Sequence, residues 1–179
     1  AGDANPSARM PYTYPRNQAE LTTYDYRVSE EMDKMEGAYD YDAVVSVQWP
    51  FGYGQSYTTF EYSNLTVDKS SFTAGDTLTF TVDVANTGKR LGKETVMLFS
   101  SDLVASLTPE NRRLRAFDKI ELKPGEKKTV SLSIPASALA FVGHDGHWTL
   151  EKGDFRIQAG NQTVNVNCTA THIWNTPNK

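Results

Sequence analysis

From Phe60 onward, short runs of alternating apolar and polar residues are closed by Gly- and Pro-marked turns, a cadence that leaves room for little but a layered β fold. Thr77-Leu78-Thr79-Phe80-Thr81-Val82-Asp83-Val84 is the clearest run. Successive strand residues point to opposite faces, so Leu78, Phe80, Val82 and Val84 share one side and three Thr and an Asp the other. That is the pattern of a half-buried antiparallel strand. Thr73-Ala74-Gly75-Asp76 turns the chain before it and Asn86 to Gly92 turns it after. Lys93 to Ser100 is the next strand. Its Val96-Met97-Leu98-Phe99 is apolar on both faces, which predicts a central position. Leu114 to Leu122 follows a longer polar connection. Lys123-Pro124-Gly125-Glu126 then offers the Pro and Gly of a type II turn, and Val130, Leu132 and Ile134 alternate with Thr129, Ser131 and Ser133. Trp148 to Leu150, Phe155-Ile157-Ala159 and Thr163 to Thr169 repeat the theme, with turns at Lys152-Gly153 and Gly160-Asn161.

About seven short strands at this spacing predict an all-β fold, an immunoglobulin/fibronectin III-like β-sandwich with an extended N-terminal arm. The chain has one cysteine, Cys168, so no internal disulfide pins the sheets and the fibronectin-like variant is preferred. Cys168 shares a face with Val164 and Val166 and is expected to be a small buried hydrophobe. Alone it cannot build a thiolate metal site.

With 179 residues the chain suits one ordinary domain plus an extension. A net charge of -4 argues against nucleic-acid binding. The short basic cluster Asn111-Arg112-Arg113-Leu114-Arg115 is read as a solvated strand start, in preference to an anion site. No apolar run reaches the length of a membrane span, and the first residues lack the order of a signal peptide. The expectation is a soluble chain, or a piece of one whose targeting signal lies elsewhere. Asn-x-Ser/Thr triplets at Asn64, Asn161 and Asn167 do not contradict export.

Before Phe60 the sequence is irregular. Ala1 to Asp25 reads as an end piece in which Met10 to Pro15 makes one short strand, confined by its prolines to an edge. Such an arm cannot bury its own apolar residues. It calls for a partner surface in its parent or on a neighbouring molecule; left unpaired, it favours self-association of the isolated chain. Tyr26 to Asp42 is polar and acidic, with one or two helical turns predicted over Ser29 to Glu36 and Ser29 as N-cap. Tyr41 to Gln48 is read as extended. It leads into Trp49-Pro50-Phe51-Gly52-Tyr53-Gly54-Gln55-Ser56-Tyr57-Thr58-Thr59-Phe60-Glu61-Tyr62, a hinge whose glycines permit close backbone approach and whose aromatics supply buried area. The plainer reading of the hinge is a strand start with a few core aromatics.

Asn5-Pro6-Ser7-Ala8-Arg9-Met10-Pro11-Tyr12-Thr13-Tyr14-Pro15-Arg16 resembles the closing segment of the α/β sandwich domain of glycoside hydrolase family 3. Pro50 to Phe60 resembles the same family's PFGYGLSYT hinge, which leads into its C-terminal fibronectin III-like domain. Val84 to Gly88, Gly92-Lys93-Glu94, Leu114 to Lys119 and Leu122 to Glu126 match further elements in order. Ala8 stands where Gly is usual and Gln55 where Leu is usual. The resemblance implies a division into 1–25, the end of the preceding domain; 26–59, linker and hinge; 60–170, the sandwich; and 171–179, a tail. It implies a domain-docking role for Trp49, Pro50, Phe51, Gly52, Tyr53, Gly54, Ser56 and Tyr57, with the upstream catalytic domains of the parent chain as partners. It also implies a periplasmic or secreted parent.

The family cleaves terminal β-linked sugars with retention, as β-glucosidases or β-xylosidases, which takes two carboxyl groups about 5 Å apart. No acid here sits in a context matching those motifs, so the chain is expected to be non-catalytic, without cofactor or metal, and to brace the catalytic domains. Oligosaccharide, nucleic acid and membrane are not expected as partners of the chain itself. His144-Asp145-Gly146-His147 is read as a hairpin turn in preference to a metal site, and Asp40-Tyr41-Asp42 as a solvated loop in preference to a cation site. Trp148 is assigned to the core; Trp174 is the tryptophan more open to exposure. The alternative function is an independent carbohydrate-binding or adhesion module. On the bracing reading the isolated chain neither hydrolyses an aryl β-glucoside nor binds glucans; the alternative predicts glucan affinity.

Overall fold

The computed structural model describes residues 4–16, 47–108 and 111–175. In chain order its strands are β1 (Tyr14–Pro15), β2 (Val47–Trp49), β3 (Phe60–Val67), β4 (Ser71–Phe72), β5 (Thr77–Asn86), β6 (Gly92–Asp102), β7 (Arg113–Leu122) and β8 (Lys127–Pro135). A short 3-10 helix (Ala136–Leu139) follows, then β9 (Phe141–Val142), β10 (Trp148–Leu150), β11 (Gly153–Ala159), β12 (Gln162–Cys168) and β13 (His172–Trp174). Two sheets form the sandwich: β3-β5-β8, and β4-β12-β11-β6-β7. A small sheet, β13-β10-β9, and the pair β1-β2 lie outside them.

The alternation read from sequence decides which face each strand buries. Leu78, Phe80, Val82 and Val84 of β5 are all buried, as are Val130, Leu132 and Ile134 of β8, which run antiparallel beside them. Phe155 and Ile157 of β11 and Val166 and Cys168 of β12 supply the opposing layer. As predicted, β6 is central, between β11 and β7. Its run Gly92, Glu94, Val96, Leu98 is buried throughout, and Phe99 on the other face is buried as well. The turn at Lys123 to Glu126 closes with the Glu126 N–H donating to the Lys123 carbonyl at 2.9 Å. His144 and Asp145 form the tip of a turn closed by the Gly146 N–H donating to the Gly143 carbonyl at 3.0 Å, and the Gly143 N–H donates to the His147 carbonyl at 2.9 Å. Trp148 faces Trp174 across β10 and β13, and both are half-buried against the core.

Two readings are corrected. Asn111 to Arg115 is not a solvated strand start, because all five residues are half-buried. The Arg112 guanidinium lies 4.8 Å from the centre of the Phe99 ring. Arg115 Nε donates to Ser100 Oγ at 2.7 Å and its Nη1 to the Ala138 carbonyl. Arginine stems cover apolar surface while their heads find acceptors, and here both are supplied from distant sequence. Nor is the Met10 to Pro15 arm unpaired: β1 pairs with β2, Tyr14 opposite Trp49. Of the remaining readings, the Ser29 to Glu36 turns, the acidic Asp40 to Asp42 and the extended stretch before Val47 fall outside the described residues.

Two carboxylates hold β5, Asp76 in the turn before it and Asp83 within it. Asp76 accepts the Thr73 N–H at 2.7 Å, the Thr73 hydroxyl at 2.9 Å and Lys69 Nζ at 3.1 Å, which lowers its pKa from 3.8 to about 2. Asp83 is held low by Lys127, the Thr129 hydroxyl and the Asn64 amide. A lowered carboxyl pKa stabilises the fold above the unfolded value, and that contribution disappears as pH falls through the folded value. The urea midpoint is therefore expected to hold steady above 3.8 and to decline as pH drops toward about 2. In Asp76→Ala and Asp83→Ala the decline should be shallower, and an unchanged acid limb would contradict the assignment.

Candidate functional site

The hinge runs from β2 into β3, and the arm lies along it. Pro50 to Tyr53 form a turn, Tyr53 N–H to the Pro50 carbonyl at 3.0 Å, with Gly52 at φ +82° in the region L side chains rarely adopt. Met10 completes the junction: its N–H donates to the Tyr53 carbonyl and its carbonyl accepts the Gly52 N–H, both at 2.8 Å. At Gly54 the need is space. A Cβ there would lie 2.4 Å from the Ala8 carbonyl oxygen, so the arm approaches as closely as a bare backbone allows.

Phe51 meets Phe99 edge to face, ring centres 6.0 Å apart, which seats the hinge on the outer face of β6. Beside it a recess of about 240 Å³ is lined by Arg9, Phe51, Tyr62, Glu94, Met97 and Phe99 among others. Glu94 is the polar centre of the junction, its side chain 6% exposed. Oε1 accepts the Tyr62 hydroxyl at 2.7 Å and Oε2 pairs with Arg9 Nη2. Arg9 Nη1 also donates to the Gly54 carbonyl at 3.2 Å, so one guanidinium joins arm, hinge and sandwich. Burial first, then the neighbouring Glu94 carboxylate, pushes the Tyr62 phenol above its usual range, opposed by Arg9. Tyr62 therefore stays a neutral donor.

Asn5 fixes the outer end of the arm. Its Oδ1 accepts the Tyr57 N–H at 2.8 Å and the Ser56 hydroxyl at 3.1 Å, and its Nδ2 donates to the Leu91 carbonyl at 3.1 Å. On the far side Tyr12, Tyr14, Trp49 and Tyr53 form a continuous aromatic row, successive ring centres 6.2, 5.3 and 6.2 Å apart. Each of the four is more than a third exposed.

The predicted docking residues thus divide. Phe51, Gly52 and Gly54 serve the internal junction, Ser56 and the Tyr57 backbone bind Asn5, and Trp49 and Tyr53 face outward, with Pro50 closing the turn. Sequence reading gave no role to Arg9, Glu94, Tyr62 or Asn5, although all four fall in the stretches it singled out. Only Glu94 carried a further local signal, as a charged residue standing on the apolar face of its strand.

Residues 94–163 match the family model described as fibronectin type III-like domain. The sandwich is a fibronectin type III-like domain. Around this domain the similarity reaches into the arm and hinge, since it covers 92% of the chain in a lysosomal beta glucosidase from Dictyostelium discoideum, 36% identical, and in a periplasmic beta-glucosidase from Salmonella typhimurium, 34% identical. The solved structure of a β-glucosidase from Erythrobacter marinus is 30% identical with a TM-score of 0.82, over 94% of this chain and 22% of that one. The resemblance to glycoside hydrolase family 3 read from the motifs accords with these relatives, which include the beta-glucosidase BoGH3A of Bacteroides ovatus at 30% identity. The chain spans only 20–24% of the length of the curated relatives it matches.

Proposed function

We propose that this chain is the non-catalytic bracing part of a larger β-glycosidase, its fibronectin type III-like sandwich fixing the arm and hinge that dock against the catalytic domains. The observation that carries the reading is the aromatic row Tyr12, Tyr14, Trp49 and Tyr53: large rings lined up along the arm and hinge and left open. Contiguous exposed aromatics of this kind mark an interaction surface. The chain's share of its relatives' length leaves the bulk of the parent to cover them.

The division into 1–25, 26–59, 60–170 and 171–179 belongs to this proposal, and so does a periplasmic or secreted parent. Two of the relatives are named as periplasmic and lysosomal enzymes. Within the junction the buried Glu94 is committed to Arg9 and Tyr62, which suits structure better than acid/base work. Trp49→Ala with Tyr53→Ala in the full parent is expected to lower its melting temperature and activity while leaving the melting of the isolated 179-residue chain nearly unchanged. Equal losses in both would place the aromatics inside the sandwich's own stability and refute docking.

A further inference from the structure

At the opposite end of β6 from Glu94 lies a groove that the docking role does not use. Eight residues of strand, roughly 25 Å, separate Glu94 from Asp102. Two adjoining recesses, each of about 440 Å³, share Arg113, Arg115 and Trp148 as walls. Asp102 and Phe141 complete the first and Trp174 the second. The volumes fall within the range of small-molecule sites, and the lining has their make-up: aromatic and aliphatic walls with a few converging polar groups.

The polar groups are held in place. Arg115 is fixed by Ser100 and the Ala138 carbonyl. Asp102 Oδ1 accepts the Val104 N–H at 3.2 Å, and Oδ2 has no hydrogen-bond partner among the described residues. Burial, with Glu151 nearby, raises the Asp102 pKa, so its carboxyl lacks the hydration a surface acid enjoys. A carboxyl and guanidinium groups beside an indole face suit a ring that is apolar on its faces and hydroxylated at its edge. Arg115 is already committed to Ser100 and the Ala138 carbonyl, and a carboxylate brought beside Asp102 would meet a like group, so a neutral ligand suits the groove.

We propose that this groove binds a short neutral oligosaccharide, one pyranose ring in each recess, with Trp148 between them and Asp102 accepting from ring hydroxyls. The docking junction reaches along β6 to Phe99 and the groove begins at Ser100, with no lining residue in common, so bracing does not exclude sugar affinity, and glucan binding alone does not separate the two roles. The inference stands independently of the docking reading.

Amide and indole NMR shifts of the 179-residue chain, titrated with cellobiose, laminaribiose and xylobiose, test it. Expected is a Kd of about 1–10 mM for at least one disaccharide, with shifts confined to Trp148, Trp174 and the strand ends around Asp102 and Arg113. Asp102→Ala, which removes a partly buried acid and no core contact, should weaken binding about tenfold with the fold's spectrum retained. Trp148→Phe should weaken it less than Trp148→Ala. Absence of shifts with all three sugars, shifts confined to Trp49 and Tyr53, tighter binding of digalacturonate, or unaltered affinity in Asp102→Ala would overturn the proposal.

Discussion

Phe80→Ala is expected to reduce the chain's unfolding free energy by about 3–5 kcal/mol, because it opens a cavity in the middle of β5 where neighbours from both sheets cannot close in. Phe80 is 1% exposed and pairs with Leu132 of β8 and Val67 of β3. A loss of that size should lower the melting temperature by roughly 10 °C or more. Phe117→Ala is the matched control. Phe117 lies on β7 with two thirds of its surface in solvent, at 66%, so its removal should cost under about 0.5 kcal/mol. Thermal melts of the two variants read the orientation of the sheets directly. Strand alternation permits one register slip that would invert every face, and comparable costs at Phe80 and Phe117 would reveal it.

Arg9→Met is expected to cost about 2–3 kcal/mol and to release the arm, a large effect for a residue so far from the core. The Glu94 carboxylate would stay buried with only the Tyr62 hydroxyl to face it, and an orphaned buried charge is costly. Limited proteolysis should then cut within residues 4–16 at a protease concentration that spares the parent sequence. Glu94→Gln in the Arg9→Met background removes the stranded charge and should recover much of the stability without re-docking the arm. The coupling between the two positions, from a double-mutant cycle, separates this pair from two independent packing losses. Additive costs would mean that the guanidinium and carboxylate do not act as a unit.

Much of the sandwich could be read from residues alone because its strands are locally consistent. In β5, β8 and β11 every apolar residue of the alternation is buried, and the turn at Lys123 to Glu126 has the residues its type requires. The junction was less legible. Arg9 and Glu94 are separated by 85 positions and Asn5 and Tyr57 by 52, so no window of sequence shows that they meet. The same distance effect hid the arm's partner, since Tyr14 and Trp49 pair across 35 positions of sequence. The arginines of residues 111–115 looked solvated because their acceptor and ring partners, Ser100, Ala138 and Phe99, come from other elements. The hinge motif did announce a close-packed backbone, and Gly52 and Gly54 provide it for two different reasons: one a left-handed φ, the other room for the Ala8 carbonyl.

The bracing account places sugar cleavage outside these 179 residues. Release of nitrophenol from an aryl β-glucoside and an aryl β-xyloside by the purified chain, alongside the full parent, tests that placement most directly. The account predicts turnover by the parent and none above buffer by the chain. Turnover by the chain itself, whether or not Asp102→Asn abolishes it, would put sugar-cleaving acids within these residues and contradict it.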